Sequence, residues 1–445
     1  MLDFLLMPFF LFLIYLVSYK IRDTYYHSRH PWRKYFIPAL TLKIIGAVIN
    51  GLLHHYYYGG GDTFNFFYHS RIINTAFDES FIKWVNLLFH IPGYYDVDYY
   101  RYTSQMPWYS DVSSYTVSAV AAFFSIFTLN TYLPTAALFA FFSFSGTWAM
   151  FRTFAKIYPH LTKQVAVATL FIPTTILWGS AVYKDTICMF GLGWLTYIVF
   201  RFLIQRDFSF RNIFLAGLSF LLIAKIKVYI LIAFMPALGM WIVLSYLQRI
   251  RNVLLKQVVK FTTIAVLVSL SVFVMSIYSN ELGEYSLEKI ASKAEETRQW
   301  ITFASEGSDG STYTLGTFNP NDYGSMLLKF PQAVNVSLFR PYPWEVRKII
   351  MVFSALESLL FVILTLRVLI NVGLAKSWRA INSVATIQFC FIFAIIFAFA
   401  VGITTYNFGS LSRYKIPCLP FYVMAMILIF YKYNPPQKKI LPPFF

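Results

Sequence analysis

His54-His55-Tyr56-Tyr57-Tyr58-Gly59-Gly60-Gly61-Asp62-Thr63-Phe64-Asn65 follows directly on the apolar run Tyr35 to Leu53. A bilayer takes about 20 apolar residues to cross, so that run predicts a membrane span. The His and Tyr residues then read as an interfacial anchor, with ring bodies in lipid and polar edges among the headgroups. Three glycines remove side chains next to a carboxylate, and glycine lets a backbone turn sharply or a ligand come close. Asp62 is thereby expected at the membrane surface, beside bare backbone at Gly60 and Gly61, where a lipid-linked substrate would present its head group. The alternative is a solvated exit loop.

Composition extends this reading to the whole chain. Of 445 residues, 58% are hydrophobic, 20% aromatic and 13% charged, against roughly a quarter charged in soluble domains. The fold class predicted is an all-α polytopic membrane protein, a single integral-membrane domain over 1–445. The net charge of +17 would point to nucleic acid in a soluble protein. Here the bases lie in short loops, where the positive-inside rule accounts for them, and no nucleic-acid partner is expected. Cys188, Cys390 and Cys418 lie in or beside apolar runs, with no disulfide or metal spacing. The first apolar run has Asp3 before it and Lys20 and Arg22 after it, the reverse of a signal peptide. It reads as an uncleaved helix that starts outside the cytoplasm.

Apolar runs predict eleven spans, near 2–19, 36–54, 132–152, 164–180, 185–203, 212–224, 228–247, 258–278, 348–369, 382–403 and 417–431. Thr116 to Leu129 is too short and suits a re-entrant or interfacial segment. With that run excluded, six loops on one side are all basic. They hold Lys20, Arg22, Arg29, Arg33 and Lys34 in the first, and later Arg152, Arg201, Arg251, Arg379 and Lys432 among others, with only Asp23 and Asp207 as acids. The N-terminus is therefore expected outside and the C-terminus inside, with 432–445 a cytoplasmic tail. The other face carries two long loops, 55–131 with interfacial helices and 279–347. The second is expected to contain an amphipathic helix over Ser286–Phe303 and a polar turn over Ser305–Thr312.

Five polar stations are expected at one membrane depth on the outer face. Asp62 is the first. Lys184 and Asp185 lie in a short turn between two spans, where Asp185 is either an N-cap or functional. Lys225 and Lys227 interrupt an apolar run, as snorkelling markers or as ligand cations. Arg340 sits in Arg340-Pro341-Tyr342-Pro343-Trp344-Glu345, where two prolines stiffen the backbone and Trp344 anchors it. Arg413 and Lys415 stand at the mouth of the last span, preceded by Asn407 and Gly409. Such cations would suit a membrane-borne phosphate, since Arg offers a planar fork and Lys a compact charge. Asp62 adds the base that such a site otherwise lacks. Glu357 lies inside a span and is expected to pair with a base on a neighbouring helix. The seven His show no zinc spacing; no metal ligand and no cofactor are assigned, and a divalent cation is left open.

The order of an apolar helix, an outer loop opening with Asp, an interfacial segment, and a helix pair joined by a turn containing Asp resembles the integral-membrane glycosyltransferases of class C, the GT-C fold. The resemblance implies a polyprenyl-phosphate-linked sugar donor and an acidic base in the first outer loop. Gly61-Asp62-Thr63 matches that element by position, with Tyr68 downstream. Lys184-Asp185 matches the second acidic element. Arg413-Tyr414-Lys415-Ile416-Pro417-Cys418-Leu419-Pro420 resembles the basic-then-proline approach to a late helix in bacterial members. Three features depart from the pattern: an extra first helix, Asp62-Thr63 in place of an acidic pair, and no large C-terminal outer domain.

The reading expected is transfer of a sugar from a polyprenyl-phosphate donor, with inversion, on the outer face of a bacterial-type inner membrane. The acceptor would be a glycan, lipid or protein, and membrane lipids are partners. Asp62 and Asp185 are the catalytic candidates. Lys184, Lys225, Lys227, Arg340, Arg413 and Lys415 would bind the donor phosphate, and Gly60, Gly61, Tyr68, Tyr342 and Trp344 would line the substrate loop. The alternatives are a polysaccharide repeat-unit polymerase, and a transporter or non-catalytic assembly partner.

Overall fold

Proline and charge decide where the helices of this chain start and break. The computed structural model describes residues 2–247, 252–277, 312–316 and 323–435. Among these residues the chain is helical, with no strand beyond an isolated bridge between Thr312 and Asn407. The expected amphipathic helix Ser286–Phe303, the turn Ser305–Thr312 up to residue 311, Arg251, and the tail from 436 on lie outside the described residues.

In chain order the helices are α1 Leu2–Tyr25, α2 Arg33–Leu52, α3 Asp62–Glu79, α4 Phe81–Leu88, α5 Tyr100–Thr103, α6 Val112–Phe127, α7 Tyr132–Ile157, α8 Thr162–Leu170, α9 Pro173–Trp178, α10 Lys184–Phe200, α11 Phe210–Leu247, α12 Val253–Ile277, α13 Tyr323–Leu328, α14 Phe330–Phe339, α15 Ile349–Val372, α16 Leu374–Ser383, α17 Ala385–Thr404, α18 Phe408–Tyr414 and α19 Leu419–Tyr433. Among the described residues seven helices are long and apolar enough to cross a membrane, and up to eight if α18 and α19, bent by 68°, form one span. The chain is a multi-pass helical membrane protein.

Three expected spans look different in the structure. The run 164–180 is broken into α8 and α9 at Phe171-Ile172-Pro173. Pro173 has no N–H to continue a helix and holds Ile172 extended (φ −76°, ψ 121°), which is the restriction proline imposes on the residue before it. The runs 212–224 and 228–247 are joined in α11, 38 residues long and non-helical at Lys227 (φ −148°, ψ 72°). The short run 116–129 is α6, 16 residues long, and it starts at Val112 because Asp111 accepts from the Ser113 N–H as its N-cap.

The contacts divide the chain into two compact units. The first comprises Met1–Ile157, Thr169–Ile232 and Ser412–Pro417. Its centre is the pairing of α7 with α10, where Gly146 and Gly193 face each other and a Cβ on either would strike partner backbone. Small residues at such crossings let membrane helices approach closely without a hydrophobic driving force. Phe142 and Phe190 stack beside them at 3.7 Å. Phe36 of α2 meets Phe144 and Trp148 of α7 edge-on. Between α2 and α7 most of the first long loop is helical. Asn74 of α3 ties it together, donating to Ala122 O at 3.1 Å, Ser125 Oγ at 2.9 Å and Asn130 Oδ1 at 2.7 Å while accepting from Trp84 Nε1 at 2.9 Å.

The second unit comprises Tyr158–Ala168, Ala233–Leu411 and Cys418–Phe445. Phe234, Phe389, Phe393 and Phe421 form its aromatic centre. Gly402 of α17 lies against the Ala333 carbonyl of α14, and Ser337 Oγ donates to Ala398 O at 2.6 Å. Glu357 is 2% exposed on α15.

The α7–α10 crossing generates a stability prediction. Gly193→Ala puts a methyl into the Gly146 carbonyl and should destabilise by about 1–3 kcal/mol, the usual penalty for overpacking. Gly217→Ala, on α11 where nothing lies within 4 Å of the added Cβ, should not lower the thermal unfolding temperature in detergent, since alanine favours a helix over glycine. Equal melting temperatures for the two variants would refute the close-packing account.

Candidate functional site

Two acids lie at helix N-termini and one base at a helix C-terminus, and all three meet. Asp62 is the first residue of α3, Asp185 the second of α10, and Arg413 lies in the last turn of α18. Each charge agrees in sign with the dipole of its own helix. Neither acid caps its helix. The N-cap positions are Gly61 and Tyr183, without a side-chain cap bond, so the N-cap reading of Asp185 falls. Both carboxylates turn instead to Arg413. Its Nε donates to Asp185 Oδ2 at 2.9 Å and its Nη1 to Asp62 Oδ2 at 2.8 Å. The other Asp185 oxygen accepts from Lys227 Nζ at 2.5 Å.

Exposure falls steeply along this line of charges. The side chain of Asp62 is 48% exposed, Arg413 15%, Lys227 6% and Asp185 0%. Asp185 therefore has no free carboxylate oxygen and no access to solvent. It anchors two cations, while Asp62 is the carboxylate that can meet a ligand.

Local structure explains how each group arrives. α2 ends in a wider π-helical turn over Leu53–Tyr57, and Gly59, Gly60 and Gly61 all take positive φ (66°, 147° and 127°). That region suits glycine and strains other residues. A Cβ on Gly61 would lie 2.7 Å from the His54 ring. The glycines thus deliver Asp62 by wrapping the backbone closely over His54. His54 Nε2 lies 3.0 Å from the Tyr183 hydroxyl, and the Arg413 guanidinium sits over the Tyr183 ring at 4.5 Å. Burial pushes the Tyr183 hydroxyl well above its usual range and keeps it protonated. Lys227 reaches Asp185 from the non-helical residue in α11, and its ammonium lies 4.6 Å from the centre of the Tyr414 ring. Ser113 Oγ donates at 2.6 Å to the carbonyl of Ile226, just before that break.

Lys184 faces Asp111 at 3.6 Å on the solvent side of the network. Burial by itself would raise the Asp111 carboxyl; hydrogen bonds from Ser114 and Ser113 and the Lys184 ammonium outweigh it and hold the group below the usual carboxylate range. Lys415 is fully buried beside Ile416, which packs with Trp178, Tyr183 and Met189.

The structure brings together Asp62, Lys184, Asp185, Lys227 and Arg413. Lys225 is exposed, two residues from Lys227, and forms no ion pair among the described residues. Tyr68 is exposed on α3. Arg340, Tyr342 and Trp344 belong to the second unit. There Arg340, expected to bind phosphate, has an internal partner: its Nε donates to both Glu345 oxygens at 3.0 Å, and its guanidinium lies near the Tyr313, Phe408 and Tyr342 rings. Trp344 is 79% exposed and stacks on Tyr342 at 4.9 Å. Glu345 five residues on in sequence was a visible partner that the phosphate reading passed over.

Sequence reasoning missed His54 and Tyr183 as supports, and it missed Lys43. That lysine is buried in the middle of α2, where its ammonium donates to Ser143 Oγ at 3.3 Å, Thr175 O at 3.1 Å and Gly179 O at 2.8 Å. It closes the C-terminal end of α9. A lone lysine within a run taken as a span was itself the signal, because an ionisable group in a membrane helix needs a partner.

Comparison with protein-family models, with curated proteins and with solved structures finds no match for this chain.

The exposure gradient predicts unequal effects. Asp185→Ala leaves Lys227 and Arg413 facing each other in a buried site and should cost about 3–5 kcal/mol. Asp62→Ala removes a half-exposed partner and should cost under about 1 kcal/mol. Thermal unfolding in detergent measures both, and equal losses would overturn Asp185 as the electrostatic centre.

Proposed function

We propose that this chain is a membrane glycosyltransferase that moves a sugar from a polyprenyl-phosphate donor to an acceptor hydroxyl. The single observation that carries the reading is the Asp62–Arg413–Asp185–Lys227 network, an exposed carboxylate next to cations fixed by a buried one. In this reading Asp62 takes the proton of the acceptor hydroxyl, whose oxygen attacks the anomeric carbon. The bond from that carbon to the donor phosphate breaks with inversion, and the lipid phosphate leaves. Arg413, with Lys184 and Lys227 behind it, offsets the charge that develops on the leaving oxygen. Such groups act best when already oriented, and Asp185 and Tyr183 orient Arg413. Asp62 and Asp185 share a guanidinium, so a divalent cation would enter only against Arg413.

A GT-C-like arrangement of eleven spans, with the N-terminus outside and the C-terminus in the cytoplasm of a bacterial-type inner membrane, is part of the same proposal. It places Asp62 on the outer face. What supports it is the basic character of the short loops on one side. Val97, 91% exposed, offers a check. Val97→Cys should react with an impermeant thiol reagent on intact cells and Arg29→Cys only after the membrane is opened. The reverse pattern would remove the outer-face assignment.

A second reading is favoured by the break at Lys227. Transporters bind substrate where membrane helices are interrupted near buried charges. A repeat-unit polymerase would need the cations without Asp62. The variant Asp62→Asn separates these. It keeps shape and hydrogen bonding but is no carboxylate base, so transfer from a polyprenyl-phosphate sugar should fall about 10²–10⁴-fold with donor binding retained. Asp78→Asn, on the exposed end of α3, should transfer at the wild-type rate. An Asp62→Asn protein with wild-type turnover would overturn the catalytic assignment.

A further inference from the structure

A second cationic site lies at the other end of α2, roughly 30 Å from Asp62 at 1.5 Å per residue. The α1–α2 junction forms an open recess of about 450 Å³ lined by Arg22, Arg29, Arg33, Lys34, Ser28 and His30. Ile37 and Pro38 add apolar surface to its lining.

Charge at this cavity is unbalanced. Asp23 is the acid paired there, bonded to Arg22 at 2.8 Å and to Arg33 at 2.7 Å. Arg29 and Lys34 form no ion pair among the described residues, and both are exposed. Arg33 and Lys34 also open α2, whose first turn holds no acid. A helix N-terminus carries partial positive charge, so two cations there oppose the dipole unless an anion is present. Arg22 and Arg33 are already held, by Asp23 and by the Tyr26 carbonyl, which accepts from Arg33 Nη1 at 2.7 Å. They are fixed in place to meet a ligand with little further ordering.

The helix that leads to the cavity exposes apolar side chains along its length. Phe9, Phe12 and Leu16 of α1 are exposed on the helix that leads to Arg22, and in a multi-pass membrane protein such a face meets acyl chains. An anion held between these residues and the basic junction would carry a phosphate at its head and hydrocarbon beside α1. General attraction of loop cations to an anionic leaflet needs no cavity; a recess with two cations left over is a more specific feature.

We propose that the α1–α2 junction is a binding site for the phosphate headgroup of an anionic phospholipid, held by Arg29 and Lys34 between the fixed guanidinium groups of Arg22 and Arg33. The site does not depend on the activity proposed for Asp62.

The test is titration of the purified, delipidated full chain with phosphatidylglycerol, phosphatidylcholine or inorganic phosphate, read as bound adducts by native mass spectrometry. The wild-type chain should hold phosphatidylglycerol saturably and in preference to phosphatidylcholine. The double variant Arg29→Ala/Lys34→Ala should bind it about 30-fold less tightly, the loss expected for two cations near an anionic headgroup. The charge-conserving pair Arg29→Lys/Lys34→Arg should keep most of the affinity, which separates charge from fold. Arg101→Ala, a 71% exposed cation elsewhere in the same unit, should bind as the wild type does. Equal affinity in the wild type and the double alanine variant would overturn the site. Binding of inorganic phosphate without preference for phosphatidylglycerol would overturn the lipid as its occupant.

Discussion

The buried carboxylate of Asp185 is the constraint to which the rest of the first unit conforms. Removing a carboxylate from water is costly unless cations and hydrogen bonds replace the solvent. Here the replacements come from far along the chain, Lys227 from 42 residues away and Arg413 from 228. To supply them, α11 leaves helical geometry at Lys227, α6 holds the carbonyl before the break through Ser113, and α18 carries Arg413 in its last turn. The start of α10, the break in α11 and the end of α18 are thus fixed relative to one another by one charged group.

Stability alone does not explain such an arrangement. A buried ion network is often no more stabilising than well-packed apolar residues of similar volume. Its distinctive product is at the edge, where Arg413 holds an accessible carboxylate at 2.8 Å. Asp62 is delivered there by three positive-φ glycines folded over His54, and Tyr183 touches both His54 and Arg413. The buried end of the network gives rigidity to the exposed end, which is how preorganised sites are built.

Lys43 solves the burial of a charge-bearing group differently. It has no carboxylate; three neutral oxygens from α7 and the end of α9 receive its hydrogen bonds. The same helix, α2, begins in the basic junction with Arg33 and ends in the turn that leads to Asp62. One apolar span thus separates two polar regions of different character. One is a recess with excess positive charge, and the other a network in which acids and bases alternate.

By itself the sequence determined that this is a helical multi-pass membrane protein, because its apolar residues, 58% of the chain, fall in continuous runs of helix-span length, whereas the strands of a membrane barrel alternate apolar and polar residues. It also singled out Gly59-Gly60-Gly61-Asp62, since three adjacent glycines before an acid are a local signal. Asp185, Lys227 and Arg413 were legible one at a time, as charges at the ends or interruptions of apolar runs. Their union was not, because ion pairing across 42 and 228 residues leaves no periodic trace. The break of 164–180 at Pro173 could have been taken from proline's missing N–H. The joining of 212–224 to 228–247 could not, since a lysine inside an apolar run marks a loop and a buried ion pair equally well. Arg340 shows the same limit from the other side. Its charge suggested a ligand; Glu345 five residues on was a visible candidate partner, and the folded backbone made the pairing. What the tertiary structure decided was which charges meet, because the Coulomb and desolvation energies that select a partner depend on distance and burial, and sequence order fixes neither.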